Sequence, residues 1–125
     1  MKTILVDAWN TFITEDGVNL ELKSILDSFP NKKIILTNAT SEECQKFGII
    51  NMPYEVFSLQ HNPNKTDSAY FQKMLAHFDL NSNEVIYFEH NIEAVESAIS
   101  AGITTFHYNN LIGLDKLTDF LNLNL

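Results

Sequence analysis

The chain has one cysteine, Cys44, so no internal disulfide can form, which suits a reducing cytoplasm. Basic residues are scarce: Lys+Arg 8 stand against Asp+Glu 16, for a net charge of -8. That balance repels nucleic-acid backbones and anionic membranes, so neither is expected as a partner. The one close basic pair, Lys32-Lys33, precedes an apolar run and reads as a solvated turn. No apolar run approaches the ~20 residues that a membrane helix needs. The N-terminus starts a strand directly, with no basic region followed by an apolar core, so no signal peptide is expected and the location should be cytoplasmic. Repeats, low-complexity tracts and linkers are absent too, and 125 residues suit a single domain, 1–125. What is present, 45% hydrophobic and 19% charged residues, is the balance of a globular fold.

Apolar runs alternate with amphipathic segments. Ile4-Leu5-Val6 and Ile34-Ile35-Leu36 are short, uninterrupted and rich in branched residues, as strands covered on both faces should be. Between them Leu22, Ile25, Leu26 and Phe29 fall at i, i+3, i+4, i+7, a helical stripe ended by Pro30-Asn31. Thr40 and Glu43 form a capping box that opens a short helix toward Phe47, stopped at Gly48. Glu55 to Leu59 predicts a third strand nearer the sheet edge. A helix starting at Thr66 or Asp67 carries Phe71, Met74, Leu75 and Phe78 on one stripe. Val85 to Phe88 predicts a fourth strand. Ile92, Val95 and Ile99, with Ala94, Ala98 and Ala101, predict a closely packed helix closed by Gly102. Ile103 to His107 is a fifth strand, and Leu114, Leu117 and Leu121 a last helix. Strands separated by helices pair in parallel through right-handed crossovers, so the expected fold is a three-layer α/β/α sandwich around a five-stranded, Rossmann-like parallel sheet.

In such a sheet the C-terminal ends of the strands share one edge, where ligands bind. Four polar groups meet there. Asp7 ends the first strand and is placed to act as a nucleophile or metal ligand. Thr37-Asn38 follows the second strand and offers a hydroxyl, an amide and backbone donors to an anion. Lys65, just before a helix, supplies a cation. Glu89-His90 follows the fourth strand, suited to holding a divalent ion or orienting water.

These segments resemble the motifs of the haloacid dehalogenase-like (HAD) superfamily, in order and over nearly the whole chain. Asp7-Ala8-Trp9-Asn10-Thr11 is similar to the first motif, Asp-x-Asp-x-Thr, at its nucleophile and its threonine. Ile34-Ile35-Leu36-Thr37-Asn38 resembles the second. Lys65-Thr66-Asp67-Ser68-Ala69-Tyr70-Phe71 resembles the segment that carries the third-motif lysine. Glu84 through His90, continued to Gly102, resembles the fourth motif and its helix. The resemblance implies a hydrolase with Asp7 as nucleophile, Lys65 neutralising charge, and Thr37, Asn38 and Thr11 around the transferred group. It also implies Mg²⁺ held by Asp7 and Glu89. The substrate class implied is a phosphoester, on a small molecule or a macromolecule.

Two departures fall inside the site. The family's phosphatases use a second aspartate two residues after the first as acid/base, and here that residue is Trp9, which transfers no proton. Such help is worth ~10²–10⁴-fold in rate. The fourth motif reads Glu89-His90 where aspartates are usual. Glu is longer, which weakens Mg²⁺ binding, and His90 favours a transition metal. True dehalogenases carry an aromatic at the Trp9 position but close the site with a helical cap. The intervals Phe12–Asn31 and Asn38–Asn64 have no room for one. Three functions follow: a capless hydrolase of phosphatase type with reduced activity, an inactive binding or regulatory domain on the same scaffold, or a dehalogenase-like hydrolase. Trp9 is expected to plug the site or to stack on a substrate, with the plug preferred. His90 is expected at the surface or as a helix cap, and His61, His77 and His107 have no ligand spacing.

Overall fold

The computed structural model describes residues Met1–Leu125. Its centre is a five-stranded sheet in the order β5-β4-β1-β6-β7. These strands are β1 (Thr3–Asp7), β4 (Lys33–Thr37), β5 (Glu55–Ser58), β6 (Val85–Glu89) and β7 (Thr104–His107), and every pairing among them is parallel. Asp7 lies opposite Leu36 on β4, and Val6 opposite Phe88 on β6. From β1 the chain builds outward through β4 to β5, then crosses to the other side of β1 for β6 and β7. The strand order therefore reverses between β1 and β6, and the crevice beyond their C-terminal ends is where such sheets bind ligands.

Successive residues of β1 point to opposite faces of the sheet, and two cores result. Ile4, Val6, Ile35, Ile86 and Phe88 pack against Leu22 and Leu26 of α1 (Leu20–Asp27) and Leu117 and Leu121 of α5 (Asp115–Asn124). Leu5, Ile34, Leu36 and Tyr87 face Tyr70, Phe71, Met74 and Leu75 of α3 (Ser68–His77), together with Ala98 of α4 (Ile92–Ser100). Each fully buried side chain of this kind contributes about 1.5–3 kcal/mol. The three-layer fold is the expected one, and β5 is an edge strand as expected.

The remaining elements refine the expectations. The Phe12–Asn31 interval holds a small antiparallel hairpin of β2 (Ile13–Thr14) and β3 (Gly17–Val18) as well as α1. Gly17, at φ +100, turns it. No cap is inserted there or between β4 and β6. α2 (Ser41–Phe47) has the anticipated capping box of Thr40 and Glu43 and ends at Gly48 in the left-handed conformation. Asp67, not Thr66, is the N-cap of α3. The α4 stripe is corrected: Ile92 and Ile99 are half exposed, while Ala94, Val95 and Ala98 are buried. Small side chains let α4 approach the sheet closely, and Val95 goes in with them while Ile92 and Ile99 are left outside.

Gly102 closes α4 at φ +86, and a Cβ there would meet Ser82 Oγ at 3.1 Å. Gly102→Ala is expected to destabilise the fold by about 1–3 kcal/mol, because a left-handed backbone and a tight contact are combined. Urea denaturation checks this, and an unchanged midpoint would mean that the turn relaxes freely.

Candidate active site

Asp7 is carried to the edge of the sheet by the central strand, and the backbone after it turns at once. Asn10 adopts φ 65, and Phe12 N–H donates to Asp7 C=O at 3.2 Å. The tight turn folds Thr11 back so that its hydroxyl donates to Asp7 Oδ2 at 2.7 Å. Lys65 arrives from the loop before α3. Asn38 Oδ1 accepts from Lys65 N–H at 2.7 Å and fixes where the lysine enters. Its ammonium then spans two acids, 2.7 Å from Asp7 Oδ1 and 2.8 Å from Glu89 Oε1. Lys65 Nζ also lies 3.3 Å from Leu36 C=O and from the Tyr87 hydroxyl. Tyr87 in turn donates to Glu89 Oε1. His90 closes the group, its Nδ1 against Asp7 Oδ2 and 3.3 Å from Glu89 Oε2.

The charges compensate one another. Burial alone would raise the Asp7 pKa, but the Lys65 ammonium and the His90 hydrogen bond hold it far below the usual carboxylate range. Burial would likewise lower Lys65, and the Asp7 and Glu89 carboxylates push it up instead. Tyr87 is pushed well up by burial and by Glu89, so it remains a neutral donor. Hydrogen bonds to Asp7 and then Glu89 push His90 up to about 9. A group with a raised pKa stabilises the fold fully below its unfolded value and stops doing so above its folded one. The His90 contribution is therefore complete below about pH 6.5 and fades as pH rises through about 9. The difference in thermal midpoint between the wild type and His90→Asn should shrink over that window. A difference that stays constant would exclude the imidazolium.

This cluster forms the floor of a cavity of about 200 Å³. Its lining includes polar Thr37, Asn38, Glu43, His61 and Asn91 and apolar Trp9, Ala39, Phe47, Ile49 and Ala94. Trp9 is half-buried, with its ring 4.8 Å from that of Phe47. It lines the cavity above the buried carboxylates. Thr37 Oγ1 accepts from Ala39 N–H at 3.2 Å, which orients the loop leading to α2.

Of the anticipated residues, Asp7, Trp9, Thr37, Asn38, Lys65 and Glu89 all reach this cavity. Thr11 does not: it is buried beneath Asp7, so it positions the carboxylate and touches no ligand. The expectation for His90 is corrected as well, because it is neither a free surface residue nor a cap. Asn91 is the N-cap of α4, and the turn before it directs His90 onto Asp7. Tyr87 was missed, although alternation along β6 places it on the same face as Glu89. His61 was also missed. It lies on the loop after β5, where Gln60 and His61 both adopt left-handed backbone at φ 53 and φ 67. Its Nε2 meets Glu43 Oε1 at 2.5 Å and its Nδ1 meets Asn64 Oδ1 at 2.7 Å, with the Glu43 contact raising its pKa. No spacing in the sequence marks that loop.

Asp7, Glu89 and His90 each bring a ligand atom within 4.8 Å of the others, so an acidic cluster able to hold a divalent ion exists. Its fit to Mg²⁺ is poor. No buried side-chain polar atom lacks a hydrogen-bond partner. Two carboxylates already face two cations. The third donor is an imidazole, whereas Mg²⁺ demands an octahedron of oxygens. A carboxylate–imidazole set suits Mn²⁺ or Zn²⁺ better. No helix is long and apolar enough to cross a membrane.

No family model matches the chain, and no curated protein matches its sequence. Solved structures do. An uncharacterized protein from Corynebacterium glutamicum superposes with a TM-score of 0.67 at 18% identity, over 99% of this chain and 95% of that one. A core domain from Streptococcus pneumoniae, ascribed to a phosphoglycolate phosphatase, gives a TM-score of 0.64 at 15% identity, over 97% of this chain and 95% of its own. A conserved haloacid dehalogenase-like protein of unknown function from Agrobacterium tumefaciens gives 0.54 at 20% identity, over 67% of this chain and 41% of its own.

Proposed function

For a chain with the haloacid dehalogenase-like fold, we propose a hydrolase of phosphatase type that works through Asp7. The observation that carries this reading is the 2.7 Å contact of Asp7 with Lys65 on the floor of a cavity open to solvent. It is supported by the fold shared with a core domain ascribed to a phosphoglycolate phosphatase. In the proposed reaction an Asp7 carboxylate oxygen attacks phosphorus and the bond to the leaving oxygen breaks. The leaving oxygen departs with the electron pair. Water then attacks the aspartyl phosphate, releasing inorganic phosphate and restoring Asp7. Lys65 neutralises charge as it builds up, Asn38 keeps the lysine in place, and Thr37 lies where the transferred group would rest. Trp9 donates no proton, so esters of ordinary alcohols are expected to react slowly.

The test is hydrolysis of an aryl phosphate by the purified protein and by Asp7→Asn, each assayed with and without a chelator. Turnover that depends on Asp7 supports the reading, and equal rates in the two proteins reject it. One observation favours a second reading, a binding domain without catalysis. Every carboxylate oxygen of the cluster is already engaged: Asp7 Oδ1 by Lys65, Asp7 Oδ2 by Thr11, Glu89 Oε1 by Tyr87, and Glu89 Oε2 by the Asn91 N–H. Under that reading a phosphonate would bind and nothing would turn over.

A further inference from the structure

We propose that the substrate is a phosphate ester of an aromatic or enolic hydroxyl, bound with its planar body against Trp9 and its phosphoryl group over Asp7. This rests on the hydrolase reading above and narrows it to a substrate class. Two independent features of the cavity converge on that class.

The first is shape and polarity. The lining of the cavity carries an aromatic pair, Trp9 and Phe47, with centroids 4.8 Å apart and planes tilted by 39°, together with Ala39, Ile49 and Ala94. The rest of the lining is polar and charged, with Asp7, Lys65, Glu89 and His90 among it. The ligand that matches both is a compact molecule with a flat apolar end and an anionic end. At about 200 Å³ the space suits one ring with a phosphoryl group. An apolar cavity of roughly 150 Å³ accepts benzene. Stacked or tilted aromatic contacts add ~0.5–1.5 kcal/mol beyond burial. The chain contains no arginine to clamp a phosphate bidentately. More of the binding free energy must then come from the apolar end.

The second is the placement of protons. An alkoxide leaving group needs a proton donor on the side of phosphorus away from the attacking oxygen. Trp9 offers an indole that transfers none. His61 has both ring nitrogens on oxygen acceptors, Glu43 and Asn64. His90 is anchored through Nδ1 to Asp7 itself, on the attacking side. Phenols and enols leave as stable anions and take their proton from water afterwards. Their esters are the ones this site can cleave at a useful rate. The same residue, Trp9, therefore removes the acid and provides the wall that selects substrates able to react without it.

The sole tryptophan of the chain is Trp9, so its emission reports directly on occupancy of the cavity. The experiment titrates the wild-type protein with phenylphosphonate and with methylphosphonate, neither of which can be hydrolysed. Calorimetry repeats both titrations on Trp9→Phe and Trp9→Ala. Phenylphosphonate should change the emission and bind at least about tenfold more tightly, as one ring contact allows. That advantage should survive in Trp9→Phe, which keeps a ring, and disappear in Trp9→Ala. Turnover of phenyl phosphate should exceed that of cyclohexyl phosphate, of similar bulk, by about 10²-fold or more. Equal affinities, no binding of either phosphonate, or an advantage untouched in Trp9→Ala would overturn the proposal. Comparable turnover of the cyclohexyl ester would overturn it too and assign proton donation to His90. Aryl-selective binding without Asp7-dependent turnover would remove the hydrolase reading and leave the aryl site standing. Asp7-dependent turnover without aryl selectivity would do the reverse.

Discussion

Lys65→Met is expected to lower folding stability by about 3–5 kcal/mol, the usual consequence of removing one partner from a buried ion pair. The side chains concerned are 8% exposed for Lys65, 2% for Asp7 and 1% for Glu89. Methionine fills the volume of the lysine stem, so packing changes little and the loss is electrostatic. Two buried carboxylates then face each other with His90 as the one remaining cation. The pH dependence should invert as well. In the wild type the Asp7 pKa is depressed, so its stabilisation is present above the ordinary value of 3.8 and fades only in stronger acid. Without the ammonium, like charges close together favour retention of one proton by the pair. The variant should therefore gain stability between pH 7 and about pH 5, where the wild type gains none from this group. Urea denaturation at the two pH values measures both effects. A loss under about 1 kcal/mol with an unchanged slope would mean that Lys65 is a solvated lysine and not the centre of the cluster.

The legible parts of this fold were those written in local patterns. Ile4-Leu5-Val6 and Ile34-Ile35-Leu36 are buried on both faces because each is continuously apolar, and that continuity is visible without coordinates. Capping residues were equally plain: Thr40 with Glu43, and Gly48 and Gly102 in left-handed backbone, lie where the chain must stop a helix. The convergence of Asp7, Thr37, Lys65 and Glu89 followed from topology, since parallel strands align their C-terminal ends. What was not legible depends on side-chain direction. Ile92 and Ile99 fit a helical stripe, but the face of α4 turned to the sheet is that of Ala94, Val95 and Ala98, so the two isoleucines stay outside. His90 follows a strand and precedes a cap, a context that says nothing about which way its ring turns. The backbone N–H of His90 lies 3.3 Å from Asp7 Oδ2, and His107 Nε2 lies 2.9 Å from the His90 carbonyl. Those two contacts, one from β1 and one from β7, aim the ring at the acid. His61 depends on two successive left-handed residues in a loop, which no periodicity encodes.

Asp7→Asn is expected to reduce turnover of an aryl phosphate by at least about 10³-fold, because an amide oxygen does not form the covalent intermediate. The substitution is isosteric, but Lys65 meets Asp7 Oδ1 and Thr11 meets Oδ2, so the single amide oxygen of Asn can keep only one of these two contacts. Binding should move in the opposite direction. In the wild type two carboxylates, Asp7 and Glu89, balance two cations, Lys65 and His90. Removing the Asp7 charge takes away one carboxylate facing Lys65 and also the largest support for the His90 imidazolium, so the cluster gains at most one positive charge, in a setting where a unit charge a few ångströms away acts strongly. Phenylphosphonate, an anion, should therefore bind Asp7→Asn as tightly as the wild type or more so. This split separates chemistry from architecture. A collapsed site would lose turnover and binding together, and a pure binding domain would show tighter binding with no turnover to lose. Loss of turnover with binding retained or strengthened is the signature of a nucleophile, and for this chain it requires Asp7 to exchange its hydrogen bond with His90 for a bond to phosphorus. Adding His90→Asn to the wild type probes that exchange. If His90 restrains the carboxylate, the single variant should attack faster at the cost of weaker anion binding. If His90 instead supports the attack, both rate and affinity should fall.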